Sequence, residues 1–146
     1  MPDRPISTVI GFDFGTVYTG VAVGQTITGQ ANPLRALKSK HRKPDWSSIE
    51  SLIKTWHPQK LIVGLPTHLD GSDDEMTAAA KKFSRQLEGR FHIDTVLVDE
   101  RLTTREAYNI SIESGEFKDK QQIDSISAAL LTESWLREYT ASSRTN

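Results

Sequence analysis

The chain has 146 residues, 36% of them hydrophobic and 25% charged, so we expect one domain over residues 1–146. It has no run of roughly 20 apolar residues and no apolar signal segment, so we expect the protein to be cytoplasmic. It contains no cysteine, which excludes disulfides, thiolate metal sites and cysteine nucleophiles and makes hard cations the natural metal candidates. The formal net charge of −1 neither favours nor excludes binding to nucleic acid, because a nearly neutral domain can still carry a basic face.

The first part of the chain predicts three strands in an antiparallel meander. Val9–Phe14 and Gly20–Gly24 have strand composition, and the short segment between them, Gly15–Thr19, predicts a turn. A third strand is predicted over Thr28–Leu37. Pro33 favours an edge position for that strand, because proline has no N–H to donate to a central ladder.

The remainder predicts helices that alternate with short apolar strands. Asp45 is a candidate N-cap for a helix that ends near Trp56. The further predicted elements are a strand at Leu61–Val63, a polar loop at Thr67–Asp74, a helix over about Glu75–Leu87 closed by Gly89, a strand at Thr95–Val98, a helix near Arg105–Ile112, a loop at Ser114–Gln122 and a final helix over about Ile123–Tyr139. Residues 1–6 and 141–146 are expected to be disordered tails. This order predicts a mixed α/β sheet of about five strands, antiparallel first and then parallel, flanked by helices.

Three carboxylates stand where a folded domain usually places other residues. Asp13 interrupts an apolar strand, Glu100 follows the strand at residues 95–98, and Asp124 opens an apolar helix. Buried carboxylates are costly, so folds keep them for a metal ion, a proton or a hydrogen-bond network. Strand periodicity places Asp13 on the face of Val9 and Gly11, and helical periodicity places Asp124 on the stripe of Ala128.

Each acid also has an ordinary structural explanation. Asp13 could cap the following turn, and Asp124 could simply complement the positive end of its helix. Glu100 has Asp99 as its neighbour, and alternation sends the two side chains to opposite faces. With Arg101 these two acids could form no more than a surface ion pair.

A basic cluster lies between the third strand and the first helix. It consists of Arg35, Lys38, Lys40, Arg42 and Lys43, with His41 among them. Such a run can contact phosphates, although a solvated loop explains it equally well.

Several short segments together resemble the YqgF-type family of bacterial proteins. They are Phe12–Thr16, Gly20–Gly24, Ile62–Pro66, Asp99–Thr104 and Asp124–Ser125 leading to Ala128–Ala129. The resemblance covers nearly the whole chain and implies a ribonuclease H-like fold. It also implies either maturation of the 5′ end of the small-subunit ribosomal RNA precursor or Holliday junction resolution.

The resemblance assigns the family's acidic residues to Asp13, Glu100 and Asp124, which would hold two Mg²⁺ or Mn²⁺ ions for phosphodiester hydrolysis. Asp70, Asp73 and Asp74 are possible substitutes for Glu100. Arg101, Arg105 and the basic cluster would contact phosphates of pre-rRNA or branched DNA. Ribosomal assembly factors are further possible partners, and the protein would act as a monomer or a homodimer.

Two other function classes stay open at this point. Asp13–Thr16 is similar to the first phosphate-binding turn of the sugar kinase, actin and heat-shock ATPase superfamily, although 146 residues supply only one of the two domains that close over a nucleotide there. In the other class, the chain is a noncatalytic nucleotide- or RNA-binding module in ribosome assembly whose acids are structural.

Overall fold

The computed structural model describes residues 6–15, 17–41, 43–65, 75–100 and 120–144. These ranges hold five strands and three helices. In chain order they are β1 (Thr8–Asp13), β2 (Tyr18–Gln25), β3 (Gln30–Lys38), α1 (Trp46–Trp56), β4 (Lys60–Leu65), α2 (Glu75–Phe91), β5 (Thr95–Asp99) and α3 (Lys120–Arg144). The predicted helix near 105–112 and the predicted loop at 67–74 lie outside the described residues.

The strands form one mixed sheet in the order β3-β2-β1-β4-β5. β1 pairs antiparallel with β2, and β2 pairs antiparallel with β3, whereas β4 is parallel to both β1 and β5. The predicted meander followed by parallel strands is therefore confirmed. Pro33 lies in β3, an edge strand of this sheet, as its missing N–H requires.

Two layers of helix cover the two faces of the sheet. On one face, Ile10 and Phe12 of β1 pack into the larger core with Ile49 of α1 and Phe83 of α2. On the other face, Val9 packs with residues of α3, as shown by its cluster with Ile62, Leu131 and Leu136. The alternation of side chains along β1 thus separates a face covered by α1 and α2 from a face covered by α3.

Small residues let α3 lie close to the sheet. A Cβ on Gly11 would lie 1.8 Å from the Thr132 hydroxyl oxygen of α3, so only glycine fits there without a shift. Ala22 of β2 and Ala128 and Ala129 of α3 form a further tightly packed cluster. This close approach places Asp124 of α3 over Gly20 of β2, the register partner of Asp13 at the end of β1.

Two helices are longer than the sequence indicates. α2 passes through Gly89 and ends at Phe91, before His92, which has a left-handed backbone (φ 56°) and donates its N–H to the Glu88 carbonyl. α3 starts at Lys120 and continues to Arg144, so the predicted limits at Ile123 and Tyr139 are wrong. Polar composition misled the prediction there, because an exposed helical end needs no apolar residues once its preceding turns are packed.

Candidate active site

Asp13 is the last residue of β1, near the middle of the sheet. It lies on the face covered by α3, because it follows Val9 and Gly11 at intervals of two. Its register partner in β2 is Gly20. On the other side, Phe12 is level with Val63 of β4, so Asp13 is level with Gly64 one position further along. Asp13 is therefore flanked by two glycines.

The first of these glycines is covered by the start of α3. A Cβ on Gly20 would lie 2.0 Å from the backbone oxygen of Asp124. The next residue, Ser125, is buried, and its hydroxyl accepts a hydrogen bond of 3.2 Å from the Val21 N–H in β2. The register of β2 with β3 shifts at this point, between Thr19 and Val21. These contacts fix Asp124 beside Asp13.

The second glycine is covered by Glu100. A Cβ on Gly64 would lie 2.8 Å from Oε1 of Glu100 and 2.9 Å from Cδ2 of Leu131 in α3. The Glu100 side chain therefore lies over β4 on the same face as Asp13. Val98, two residues earlier, packs on this face as well. Of the neighbouring acids Asp99 and Glu100, it is thus Glu100 that extends over the α3 face at Gly64.

Asp13 and Asp124 line a common pocket of about 200 Å³. The other lining residues come from the β1–β2 connection, the first residue of β2 and the first turn of α2: Phe14, Gly15, Val17, Tyr18 and Met76. The pocket lies at the end of the sheet where β1 ends, and its lining does not include Glu100. Asp13 and Asp124, each of which periodicity assigns to one face of its own element, thus line the same pocket.

The donor set is suited to a hard cation. Carboxylate oxygens are the protein ligands that Mg²⁺ and Mn²⁺ prefer. Adjacent strands lie about 4.8 Å apart, so residues stacked on Gly20 and Gly64 approach Asp13 from either side. Across the described ranges, however, no group of three or more His, Asp or Glu side chains is close enough to form a ready-made metal shell. The residues fit a cation by chemistry and shared face, and Asp13 and Asp124 line the same pocket.

The basic cluster borders a separate and larger groove. Arg35, Lys38 and Lys40 line it together with His41. Lys40 and Lys43 exchange backbone hydrogen bonds of 2.8 and 2.9 Å, and His41 has a left-handed backbone (φ 53°). Arg42, Arg101 and Arg105, the other predicted phosphate contacts, lie outside the described residues, as do Asp70, Asp73, Asp74 and Thr16.

The sequence reading missed Tyr18. It is the first residue of β2, two positions before the predicted start of that strand, and it lines both the carboxylate pocket and the basic groove. An aromatic residue directly after a glycine turn was the available signal. Its position between two cavities depends on strand order, which local periodicity does not contain.

Comparison with known proteins relates most of the chain to one family. The sequence model of the RuvX family, described as Holliday junction resolvase, matches residues 7–138. A protein of Pseudomonas paraeruginosa named "Putative pre-16S rRNA nuclease" is 45% identical over 139 residues, which cover 94% of this chain and 96% of that protein. A protein of Pseudomonas fluorescens with the same name is 48% identical, and the match covers 91% and 94% of the two chains.

The fold also matches a solved structure at low sequence identity. The RuvC protein of T. thermophilus, solved in complex with a Holliday junction substrate, superimposes with a TM-score of 0.61 at 12% identity. The match covers 92% of this chain and 97% of that chain. Such a likeness concerns the fold alone, and it confirms the predicted ribonuclease H-like architecture. No helix within the described ranges is long and apolar enough to cross a membrane.

Proposed function

The chain belongs to the RuvX family, and on that premise we propose that it is a divalent-metal-dependent endonuclease that processes the 5′ end of the pre-16S rRNA. The two Pseudomonas relatives are named for that activity, and the match to this chain covers nearly their whole length. Such a substrate also places the protein in the cytoplasm, where ribosomal assembly factors are further candidate partners.

One structural observation carries the proposal. Asp13 lies between Gly20, which is covered by the backbone of Asp124, and Gly64, which is covered by the carboxylate of Glu100. Three acids from three distant parts of the chain thus reach neighbouring positions on one face. Acids in ordinary surface ion pairs do not need glycines beside them to keep space free of side chains. A cation site does need that space, because its carboxylates must come together.

We assign Asp13, Asp124 and Glu100 as the carboxylates that hold the metal, with Asp13 between the other two. Mg²⁺ or Mn²⁺, as one ion or two, would supply charge stabilisation at the phosphate and a more acidic bound water. Because Asp13 and Asp124 already share a pocket, they are the stronger pair. Glu100 completes the set from the far side of Gly64.

The proposal is tested by cleavage of a precursor rRNA fragment with Mg²⁺, comparing the unmodified protein with Asp13→Asn. Removing one preorganised electrostatic group typically costs 100-fold or more in rate, so we expect the variant to lose at least about 100-fold. Glu138→Gln is the matched control, since this exposed acid of α3 lies far from the pocket. Equal rates for the unmodified protein and Asp13→Asn would remove Asp13 from the mechanism and point to a contaminating nuclease.

Thermal stability separates catalytic from purely structural acids. Without metal, neutralising one of several crowded carboxylates relieves repulsion, so Asp13→Asn and Asp124→Asn should unfold at the same or a higher temperature than the unmodified protein. Mg²⁺ should raise the unfolding temperature of the unmodified protein more than that of either variant. A marked loss of stability in both variants would favour the noncatalytic binding module.

The family description and the fold favour a second substrate, a four-way DNA junction. Both substrates use the same carboxylates and differ in the nucleic acid that is presented to them. Parallel cleavage assays with a precursor rRNA fragment and a synthetic four-way junction distinguish them. Faster cleavage of the junction would replace the rRNA assignment.

A further inference from the structure

A long groove separates the edge strand β3 from helix α1. It has a volume of about 940 Å³, large for a domain of this size. Its strand side extends from Leu34 to Lys40, and its helix side from Asp45 to Trp56. Because the chain reverses direction between the two elements, Lys40 and Asp45 mark one end and Leu34 and Trp56 the other.

Tyr18 connects this groove to the carboxylate pocket. The residue lines both cavities and is paired with Lys38 of β3. The two cavities therefore border the same residue at the end of the sheet where β1 ends and β2 starts, and the Lys38–Lys40 end of the groove is the end next to Tyr18.

The lining of the groove suits a polynucleotide strand. Arg35, Lys38 and Lys40 supply positive charge on the strand side, and hydroxyl groups of Ser51 and Thr55 supply polar groups on the helix side. The acid in the lining, Asp45, accepts a hydrogen bond of 2.7 Å from the Ser48 hydroxyl and lies 3.8 Å from the Lys40 ammonium. Tyr18 and Trp56 offer aromatic surface at its two ends. Cations along a backbone path with aromatic rings are the features of single-strand binding grooves.

The neighbouring part of the edge strand is blocked against a peptide that would add as a further strand. The Ala31 N–H donates to Oε2 of Glu133 at 3.1 Å, so this amide is already occupied. Pro33 has no N–H, and two residues of the edge are therefore closed to a new ladder. A β-strand ligand is disfavoured here, whereas nucleic acid needs side-chain contacts only.

We propose that the β3–α1 groove binds a single-stranded segment of the substrate next to the bond that is cut. The position of the cut next to the groove rests on the proposed function. The binding of a single strand rests on the lining of the groove itself. A rigid duplex keeps its bases stacked inside, so it could use the cations and could not reach the aromatic rings.

Binding is tested without divalent metal, by fluorescence anisotropy, with a labelled single-stranded RNA of about 12 nucleotides and a blunt RNA hairpin. The groove variant is R35A/K38A/K40A. Its control is K54A/K82A/R85A, which removes the same charge from exposed residues of α1 and α2 outside the groove lining. The slope of log K against log salt changes by about 0.7 for each phosphate contact to a single strand. With three cations removed, we expect the slope for single-strand binding to be smaller by about 2 in the groove variant. The control variant should change the slope little.

The aromatic contact is tested by Tyr18→Leu against Tyr18→Phe. Loss of one stacked base should weaken single-strand binding about tenfold in Tyr18→Leu, whereas Tyr18→Phe keeps the ring and should bind like the unmodified protein. The blunt hairpin should be affected little by either change.

These outcomes separate the groove from the catalytic proposal. Asp13→Asn should retain single-strand binding. If the unmodified protein binds the single strand in the groove and yet cleaves no substrate, only the nuclease assignment is rejected. Unchanged affinity and salt slope in the groove variant would overturn the groove proposal and leave the site to a protein ligand. Equal losses for the single strand and the hairpin would overturn the assignment to a single strand.

Discussion

Asp13 owes its environment to the residues beside it. A carboxylate at the end of a central strand would usually meet side chains from both neighbouring strands, which would bury its charge among apolar groups. Here both neighbours are glycines, and the space above them is taken by the Asp124 backbone and the Glu100 carboxylate. The glycines therefore serve the site sterically, because they admit α3 and Glu100 to the sheet surface.

Gly20→Ala should destabilise the protein strongly. The new Cβ would lie 2.0 Å from the Asp124 carbonyl oxygen and 2.7 Å from the Ser125 nitrogen, and backbone atoms cannot rotate away. We expect a loss of about 2–3 kcal/mol in the free energy of unfolding, measured by urea denaturation. The control is Gly89→Ala in α2, where a Cβ meets nothing within 4 Å and should add about 0.5–1 kcal/mol of stability. Equal effects of the two substitutions would show that α3 does not approach β2 as described.

Ser125→Ala tests how Asp124 is held. The substitution leaves the buried Val21 N–H without its hydroxyl acceptor, which should cost about 1–3 kcal/mol of unfolding free energy. If this bond positions Asp124, cleavage should fall further than the lost stability explains when assayed well below the unfolding temperature. Ser125→Thr retains the hydroxyl and should recover part of the activity. Full activity in Ser125→Ala would show that Asp124 is positioned by other contacts.

Periodicity assigns a face to two of the three acids from local rules. The two-residue repeat of β1 and the helical stripe from Asp124 to Ala128 each specify a face, and both faces meet at the pocket. The orientation of Glu100 was open, because alternation weakens at a strand end. Tyr18 was missed for a different reason, since its two cavities depend on the strand order β3-β2-β1, which brings distant parts of the chain together.

At the scale of elements, α1 shows how one residue sets the position of a groove wall. Asp45 is the N-cap, and its carboxylate accepts hydrogen bonds from the Ser48 N–H at 3.3 Å and the Ser48 hydroxyl at 2.7 Å. His57, in the left-handed conformation (φ 48°), ends the helix. The predicted cap and the predicted end near Trp56 are both confirmed, because caps are determined by neighbouring residues alone.

Asp45→Ala should cost about 1 kcal/mol of stability at pH 7, as for other lost aspartate caps. The hydrogen bond from the Ser48 hydroxyl, which outweighs the opposing effect of burial, holds the pKa of Asp45 below its usual value. A lowered pKa in the folded state means that the stabilisation is complete above the usual value near 4 and is lost as the pH falls through the folded pKa. The difference in unfolding free energy between the two proteins should therefore shrink toward pH 2. A difference that does not change with pH would show that the charge of Asp45 is not involved.

Over the whole molecule, the carboxylate pocket and the basic groove lie at the same end of the sheet and share Tyr18. The pocket requires β1, β2 and the start of α3, whereas the groove requires β3 and α1. On the proposed function and the proposed groove, one chain would supply both the acids and the strand-binding surface, so we expect hydrolysis of a single RNA strand to need one copy. A four-way junction has twofold symmetry, and its resolution needs two coordinated cuts.

Mixing active and inactive copies tests which of these arrangements operates. For RNA processing by single copies, adding Asp13→Asn to the unmodified protein should leave the rate per active molecule unchanged with substrate in excess. For junction resolution by a dimer, mixed dimers would hold one working site, so paired cuts should fall well below the number expected from the active molecules alone. With a precursor rRNA fragment, we expect the rate per active molecule to stay unchanged. Light scattering of the same samples gives the oligomeric state. A drop in RNA cleavage on mixing would mean that a second copy contributes to the site, and a strict monomer in solution would count heavily against junction resolution.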